Sequence, residues 1–285
     1  MSFTAGKDAT VPQPAKARRD ALGIRILSSI VLVVVIVAAI AFGAPYFNLL
    51  IAGSVATLAW EWVRLCGGPR FGATGGALVA AVLGAVVAGS VGRPVLALVI
   101  VALGIVAVAA AAAVERRPKL VWLAVGAPYI GLPGLAWVWL IAEPALGRQT
   151  VGWMVAAVAM TDIGAYVAGR ALGGVRLAPQ VSPNKTWAGL FGGVTCAVLT
   201  GGIVALALGL PKLWPLAVAS AVVAVLAQLG DLFESGVKRQ FGVKDAGGII
   251  PGHGGLLDRV DGHLVAAVAV AGFNWITGGS ILTWQ

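Results

Sequence analysis

The chain has 285 residues, of which 59% are hydrophobic and 11% charged, and its mean hydropathy is +0.95. A soluble domain of this length carries roughly twice that charged fraction, which excludes a water-exposed globule and leaves a bilayer as the solvent. The net charge of +9 comes from basic residues set between apolar runs, a pattern of membrane topology and not the basic face of a nucleic-acid-binding domain.

The first 23 residues are polar, basic and Pro-containing, with Lys7, Pro12, Pro14, Lys16, Arg18 and Arg19. They read as a disordered tail before a retained first helix, because the following apolar run exceeds the roughly 7–15 residues of a cleaved signal peptide core. A spanning helix needs about 20 mostly apolar residues. Nine candidates follow: 24–43, 47–64, 73–91, 95–114, 120–141, 150–169, 188–209, 213–230 and 263–281. The last is the weakest, being interrupted by Gly272, Asn274 and the Gly278-Gly279 pair. The runs are apolar on all sides and lack the period-two alternation of a barrel. The expected fold is an all-α integral membrane protein of about nine transmembrane helices. Residues 24–149 form its N-terminal helices and 150–285 its C-terminal catalytic region. Cys66 and Cys196 lie at or inside apolar runs, which gives no disulfide framework and no zinc cluster.

With the N-terminus in the cytoplasm, the inner segments carry Lys7, Lys16, Arg18, Arg19, Arg25, Arg64, Arg70, Arg116, Arg117, Lys119, Arg170, Arg176, Lys185, Lys238, Arg239, Lys244 and Arg259. The outer loops carry Arg93, Arg148 and Lys212. This asymmetry of 17 against 3 satisfies the positive-inside rule and predicts a cytoplasmic N-terminus and an external C-terminus. Two long inner loops result, 170–187 and 231–262.

The second loop holds five of the chain's eleven acidic residues: Asp231, Glu234, Asp245, Asp258 and Asp261. The pairs Asp231/Glu234 and Asp258/Asp261 are three apart, so each shares a face if helical. Carboxylates converging at a membrane surface suit Mg²⁺, which takes oxygen ligands and leaves positions open for phosphate. Gly252-His253-Gly254-Gly255 would let backbone amides approach phosphate. Lys238, Arg239, Lys244 and Arg259 would neutralise it. The bland alternative is a solvated, salt-bridged loop. The combination points instead to phosphoryl or nucleotidyl chemistry, and no G-x-x-x-x-G-K-[ST] is present. In the first loop, Ser182 is placed to cap a helix with Pro183 at its first position, and Lys185 to meet phosphate at that helix start. Asp162 lies about 10 Å inside helix 150–169, with Tyr166 and Arg170 on its face, and an acid at that depth is a functional candidate by default. Glu61, beside Trp60 and Trp62 and nearer its helix end, reads as structural. His263 reads as an interface marker.

These residues form a pattern. Ser235-x-Val237-Lys238-Arg239, Lys244-Asp245-x-Gly247 and Ile250-Pro251-x-His253-Gly254-Gly255-Leu256-x-Asp258-Arg259-Val260-Asp261, together over 27 residues, resemble the signature of phosphatidate cytidylyltransferases. Gln228-x-Gly230-Asp231-Leu232-x-Glu234-Ser235, Thr161-Asp162-x-x-Ala165-Tyr166-x-x-Gly169-Arg170 and Ser182-Pro183-x-Lys185-Thr186 fit the same family. The resemblance covers 150–285 in motifs and the rest only in being helical. One departure is Trp187-Ala188-Gly189, where the family often has Glu after Ser-Pro-x-Lys-Thr.

The resemblance implies the reaction of CTP with phosphatidic acid to give CDP-diacylglycerol and pyrophosphate, feeding phospholipid biosynthesis at the cytoplasmic face of the inner membrane. It implies Mg²⁺ on Asp231, Asp258 and Asp261 with Asp162, and suggests a second cation such as K⁺. Lys185, Lys238, Arg239 and Lys244 would hold phosphate, with Ser182, Thr186, Ser235 and Arg259 beside substrate. The His253-Gly254-Gly255 backbone would cradle oxygens, His253 orienting. Membrane lipids and a homodimer are the implied partners, and nucleic acid is not one. The rivals are a CTP-dependent lipid or polyprenol kinase and a transporter. The second would show inverted repeats and broken helices at mid-membrane, and neither is seen.

Overall fold

The computed structural model describes residues 15–250 and 254–284, with only the backbone given for 15–22, 24 and 25. Among the described residues the chain is a bundle of nine helices and one hairpin. In order these are α1 (Ala15–Phe42), α2 (Ala44–Gly67), α3 (Gly72–Ser90), α4 (Pro94–Val114), α5 (Leu120–Ile141), α6 (Gly147–Leu172), β1 (Arg176–Ala178), β2 (Ser182–Thr186), α7 (Trp187–Ala207), α8 (Trp214–Gln240) and α9 (Leu257–Thr277). Each of the nine expected spans coincides with a helix. Eight helices, α2 to α9, are long and apolar enough to cross a membrane, and α1 adds a shorter apolar stretch, Ile26–Phe42. The chain is a multi-pass membrane protein.

The interior is organised around α5, the most buried helix. It carries Pro128 and Pro133 inside it, tolerated because neighbouring helices surround the freed backbone groups. Outward faces keep their large apolar side chains exposed: Leu96, Leu98, Val99, Leu103 and Val106 on α4, and Phe191, Leu199 and Ile203 on α7. A contiguous apolar surface of this kind belongs against lipid. Without a hydrophobic drive between helices in lipid, close approach depends on small residues. The α6–α7 pair shows this, since a Cβ on Gly164 would stand 2.6 Å from both Cys196 Sγ and the Gly192 carbonyl oxygen.

Three expectations need correction. Residues 15–23, expected in a disordered tail, belong to α1; residues 1–14 lie outside the described residues. The loop expected over 231–262 is shorter. No Pro or chain-reversing Gly interrupts α8 until Gly242, at φ +68°, so the helix runs on through Lys238 and Arg239 in its last turn. Cations there complement the helix dipole. α9 starts at Leu257, which puts Asp231, Glu234, Asp258 and Asp261 on helices. Finally, Ser182 caps no helix. It opens β2, which pairs antiparallel with β1 in the register Ala178↔Ser182 and Arg176↔Thr186. A residue before proline is pushed towards extended backbone, and α7 therefore begins five residues later. Its cap is Thr186, whose Oγ1 accepts from Gly189 N at 3.0 Å.

Candidate functional site

The hairpin, the end of α8 and the start of α9 meet at one end of the bundle. α8 and α9 approach closely: a Cβ on Gly230 would lie 2.7 Å from the Asp261 carbonyl oxygen, and one on Gly262 would lie 3.1 Å from the Ala227 carbonyl oxygen. This contact sets Asp231 and Glu234 of α8 against Asp261 of α9. The three offer carboxylate oxygens within 4.8 Å of one another. Glu234 is fully buried, and its Oε1 has no hydrogen-bond partner among the described residues. Like charges at this spacing repel strongly in a poorly solvated site, and an all-oxygen donor set with a spare buried oxygen suits a hard divalent cation such as Mg²⁺.

Two lysines border the acids. Lys185 Nζ, from β2, lies 2.6 Å from Asp231 Oδ2 and donates to Gln228 Oε1 at 2.9 Å. Gln228 Nε2 reaches Asp162 Oδ1 at 3.5 Å, and Ser235 Oγ donates to Asp231 Oδ1 at 3.2 Å. Lys238 Nζ lies 2.6 Å from Glu234 Oε2 and 2.7 Å from Asp258 Oδ1. Asp258 is further held by Ala246 N at 3.1 Å and Gly255 N at 2.9 Å on Oδ2. Asp258 thus faces Lys238 and two backbone amides, while the carboxylate that joins Asp231 and Asp261 is Glu234. The Gly255 amide, expected to face phosphate, donates to Asp258. The next two amides, of Leu256 and Leu257, donate to Glu61 of α2 at 2.9 and 2.7 Å.

Arg239 Nε donates to the Val181 carbonyl at 3.3 Å and ties α8 to the hairpin turn. Lys244 is exposed in the loop after α8, and Arg259 is exposed on the first turn of α9. Gly254, at φ +83°, closes the loop through Ile250 N to its carbonyl at 3.0 Å. His253 lies outside the described residues, as do Pro251 and Gly252.

Two cavities open near these residues, one against the acids and one against the first turns of α9. A polar one of about 190 Å³ is lined by Asp162, Tyr166, Asn184, Lys185, Gln228 and Asp231. An apolar one of about 280 Å³ lies between α1, α2, α5, α6 and α9, with Arg259 and His263 in its wall beside Phe47, Trp137, Leu256 and Leu264. A larger cavity, about 660 Å³, is at the opposite end of the bundle around Glu143 and Asn274. There burial raises the Glu143 carboxyl above its usual range.

Three residues, Glu234, Gln228 and Glu61, are named in the sequence but not among its expected metal or substrate ligands. Glu234 had a signal, as the helical neighbour of Asp231. Gln228, three before Asp231, had a weaker one. Glu61 had none beyond being an acid in an apolar run.

The chain matches the profile of the Cytidylyltransferase family over residues 23–277. A phosphatidate cytidylyltransferase of Brucella suis biovar 1 is 49% identical over 149 residues, which are 52% of this chain and 55% of that protein. One of Staphylococcus epidermidis is 41% identical over 132 residues, 46% of this chain and 51% of that protein. The chain spans about half the length of the curated relatives it matches.

Proposed function

Because the chain belongs to the cytidylyltransferase family, we propose that it is a phosphatidate cytidylyltransferase, converting CTP and phosphatidic acid to CDP-diacylglycerol and pyrophosphate. The observation that carries this reading is the convergence of Asp231, Glu234 and Asp261 within 4.8 Å, beside two lysines, at one end of a membrane bundle. Sparse positive charge on the far loops supports a cytoplasmic position for that end, where CTP is found.

In the proposed reaction a phosphatidate oxygen attacks the α-phosphorus of CTP, and the bond to the β-phosphate oxygen breaks. A phosphate monoester is already anionic near neutral pH, so no strong base is needed. Lys185 leaves Asp231 for the nucleotide phosphates entering the polar cavity. Lys238 stays between Glu234 and Asp258 and offsets their charge. Asp231, Glu234 and Asp261 would hold Mg²⁺, which when bound neutralises charge on the phosphates. Asp258 orients Lys238 and the loop amides, and Asp162 sets Gln228. The apolar cavity would take an acyl chain, with Arg259 at the headgroup level.

The test is purified protein in detergent with phosphatidic acid, Mg²⁺ and CTP labelled in the cytidine ring, followed by lipid extraction. Metal-dependent label in the lipid phase with pyrophosphate release supports the reading. Label entering lipid only from the γ-phosphate of CTP would replace it with a lipid kinase.

A further inference from the structure

α2 lies outside the half of the chain that carries the motifs, yet it reaches the site. Glu61 is fully buried. Its Oε1 accepts from Leu256 N at 2.9 Å and its Oε2 from Leu257 N at 2.7 Å, across 195 and 196 residues of sequence. A helix start leaves amides without partners inside the helix, and Leu256, at the cap position of α9, has no side-chain acceptor to offer. Glu61 supplies the missing acceptors from another helix, and its negative charge suits the positive end of the dipole.

The same carboxylate also bears on the loop ahead of α9. A Cβ on Gly247 would stand 2.5 Å from Glu61 Oε1, and one on Gly255 would stand 2.8 Å from it. Both loop segments therefore close onto Glu61, and only glycine leaves room. Between them, Ala246 N and Gly255 N donate to Asp258. A carboxylate carried into an apolar bundle is costly unless hydrogen-bonded. Here the compensating bonds come from the loop and from the helix that present Asp258 and Asp261.

We infer that Glu61 is a positioning residue for the transfer site: its carboxylate sets the entry of α9, and so holds Asp258 and Asp261 in place against Asp231, Glu234 and Lys238. The role assigned rests on the cytidylyltransferase reading. The geometry also requires that the N-terminal helices take part in the site and do more than anchor the chain.

The experiment compares wild type, Glu61→Gln and Glu61→Asp as full chains in detergent. In the Gln variant an amide NH₂ would face one of the two backbone donors. Amide hydrogen exchange over residues 246–257 should speed up in Glu61→Gln, with α3 and α4 unchanged. The Mg²⁺ concentration for half-maximal turnover, or for half-saturation of bound Mn²⁺ followed by its spin resonance, should rise roughly 10–100-fold. Glu61→Asp, which keeps the charge, should restore part of both. Wild-type exchange in 246–257, or wild-type metal affinity, in Glu61→Gln would overturn the inference. So would faster exchange spread evenly through the bundle, which marks a merely structural role. Were wild type to transfer no cytidylyl group, the functional proposal would fail, and the exchange and Mn²⁺ measurements would still decide whether Glu61 sets the loop.

Discussion

Lys185 Nζ stands 2.6 Å from Asp231 Oδ2, joining the second strand of the hairpin to the acidic turn of α8. The lysine occupies the side of Asp231 that faces the polar cavity, where it competes with any cation for that oxygen. Lys185→Gln should therefore bind Mg²⁺ more tightly while losing about 10²–10³-fold in turnover, the size expected when one charged donor to a developing anion is removed. Metal titration and label incorporation on the same preparation read both effects. Weaker Mg²⁺ binding in the variant would contradict the competition.

Asp258 accepts from one ammonium and two backbone amides. Asp258→Asn would turn a donor towards at least one of them and leave Lys238 with Glu234 alone. Turnover should fall by roughly 10³-fold, with an unchanged elution profile in detergent. An Asn variant of near wild-type activity would remove Asp258 from the site.

Gly230 and Gly202 make a controlled pair. A Cβ at Gly230 meets the Asp261 carbonyl at 2.7 Å, and one at Gly202 meets nothing within 4 Å. Gly230→Ala should cost about 1–3 kcal/mol through overpacking and lower activity by moving Asp231 away from Asp261. Gly202→Ala should gain about 0.5–1 kcal/mol from helix preference and leave activity alone. Thermal unfolding in detergent measures the stabilities.

Glu115, just past α4, accepts from Thr74 Oγ1 at 2.8 Å and Arg117 Nε at 2.9 Å. The Thr74 and Arg117 hydrogen bonds hold its carboxyl down to about 2, from an ordinary 4.5. A lowered folded value means that the unfolded chain takes up the proton first. The stabilisation is full above about 4.5 and is lost as pH falls towards about 2. The stability difference between wild type and Glu115→Gln should therefore narrow as pH falls from about 6 to about 3. A difference that stays constant would show that Glu115 does not titrate across folding.

Lys244 is exposed in the loop between α8 and α9. With Cys66 and Cys196 replaced, Lys244→Cys should react with an impermeant thiol reagent in inside-out vesicles and not in right-side-out ones. The opposite pattern would reverse the proposed orientation.

Helix number was readable from hydropathy, because lipid acts on each apolar run separately. The pairing of Asp231 with Glu234 was readable too, since residues three apart on a helix share a face. The helical setting of these acids was not readable: the polar stretch from 231 looked like a loop, and α8 continues through it to Gln240. Ser182 was misplaced for a related reason, because Ser-Pro serves equally as a helix cap or as extended backbone, and the pairing with β1 selects the second.

What no local pattern carried is the partition of the carboxylates. Glu234 joins Asp231 and Asp261, Asp258 turns to Lys238, and Glu61 caps α9 from α2. Those assignments depend on how closely Gly230 and Gly262 let α8 and α9 approach, and on which helix packs against the start of α9. Composition and spacing are properties of one segment, whereas the direction of a carboxylate between two helices is a property of their packing, and it emerges only when the bundle is assembled.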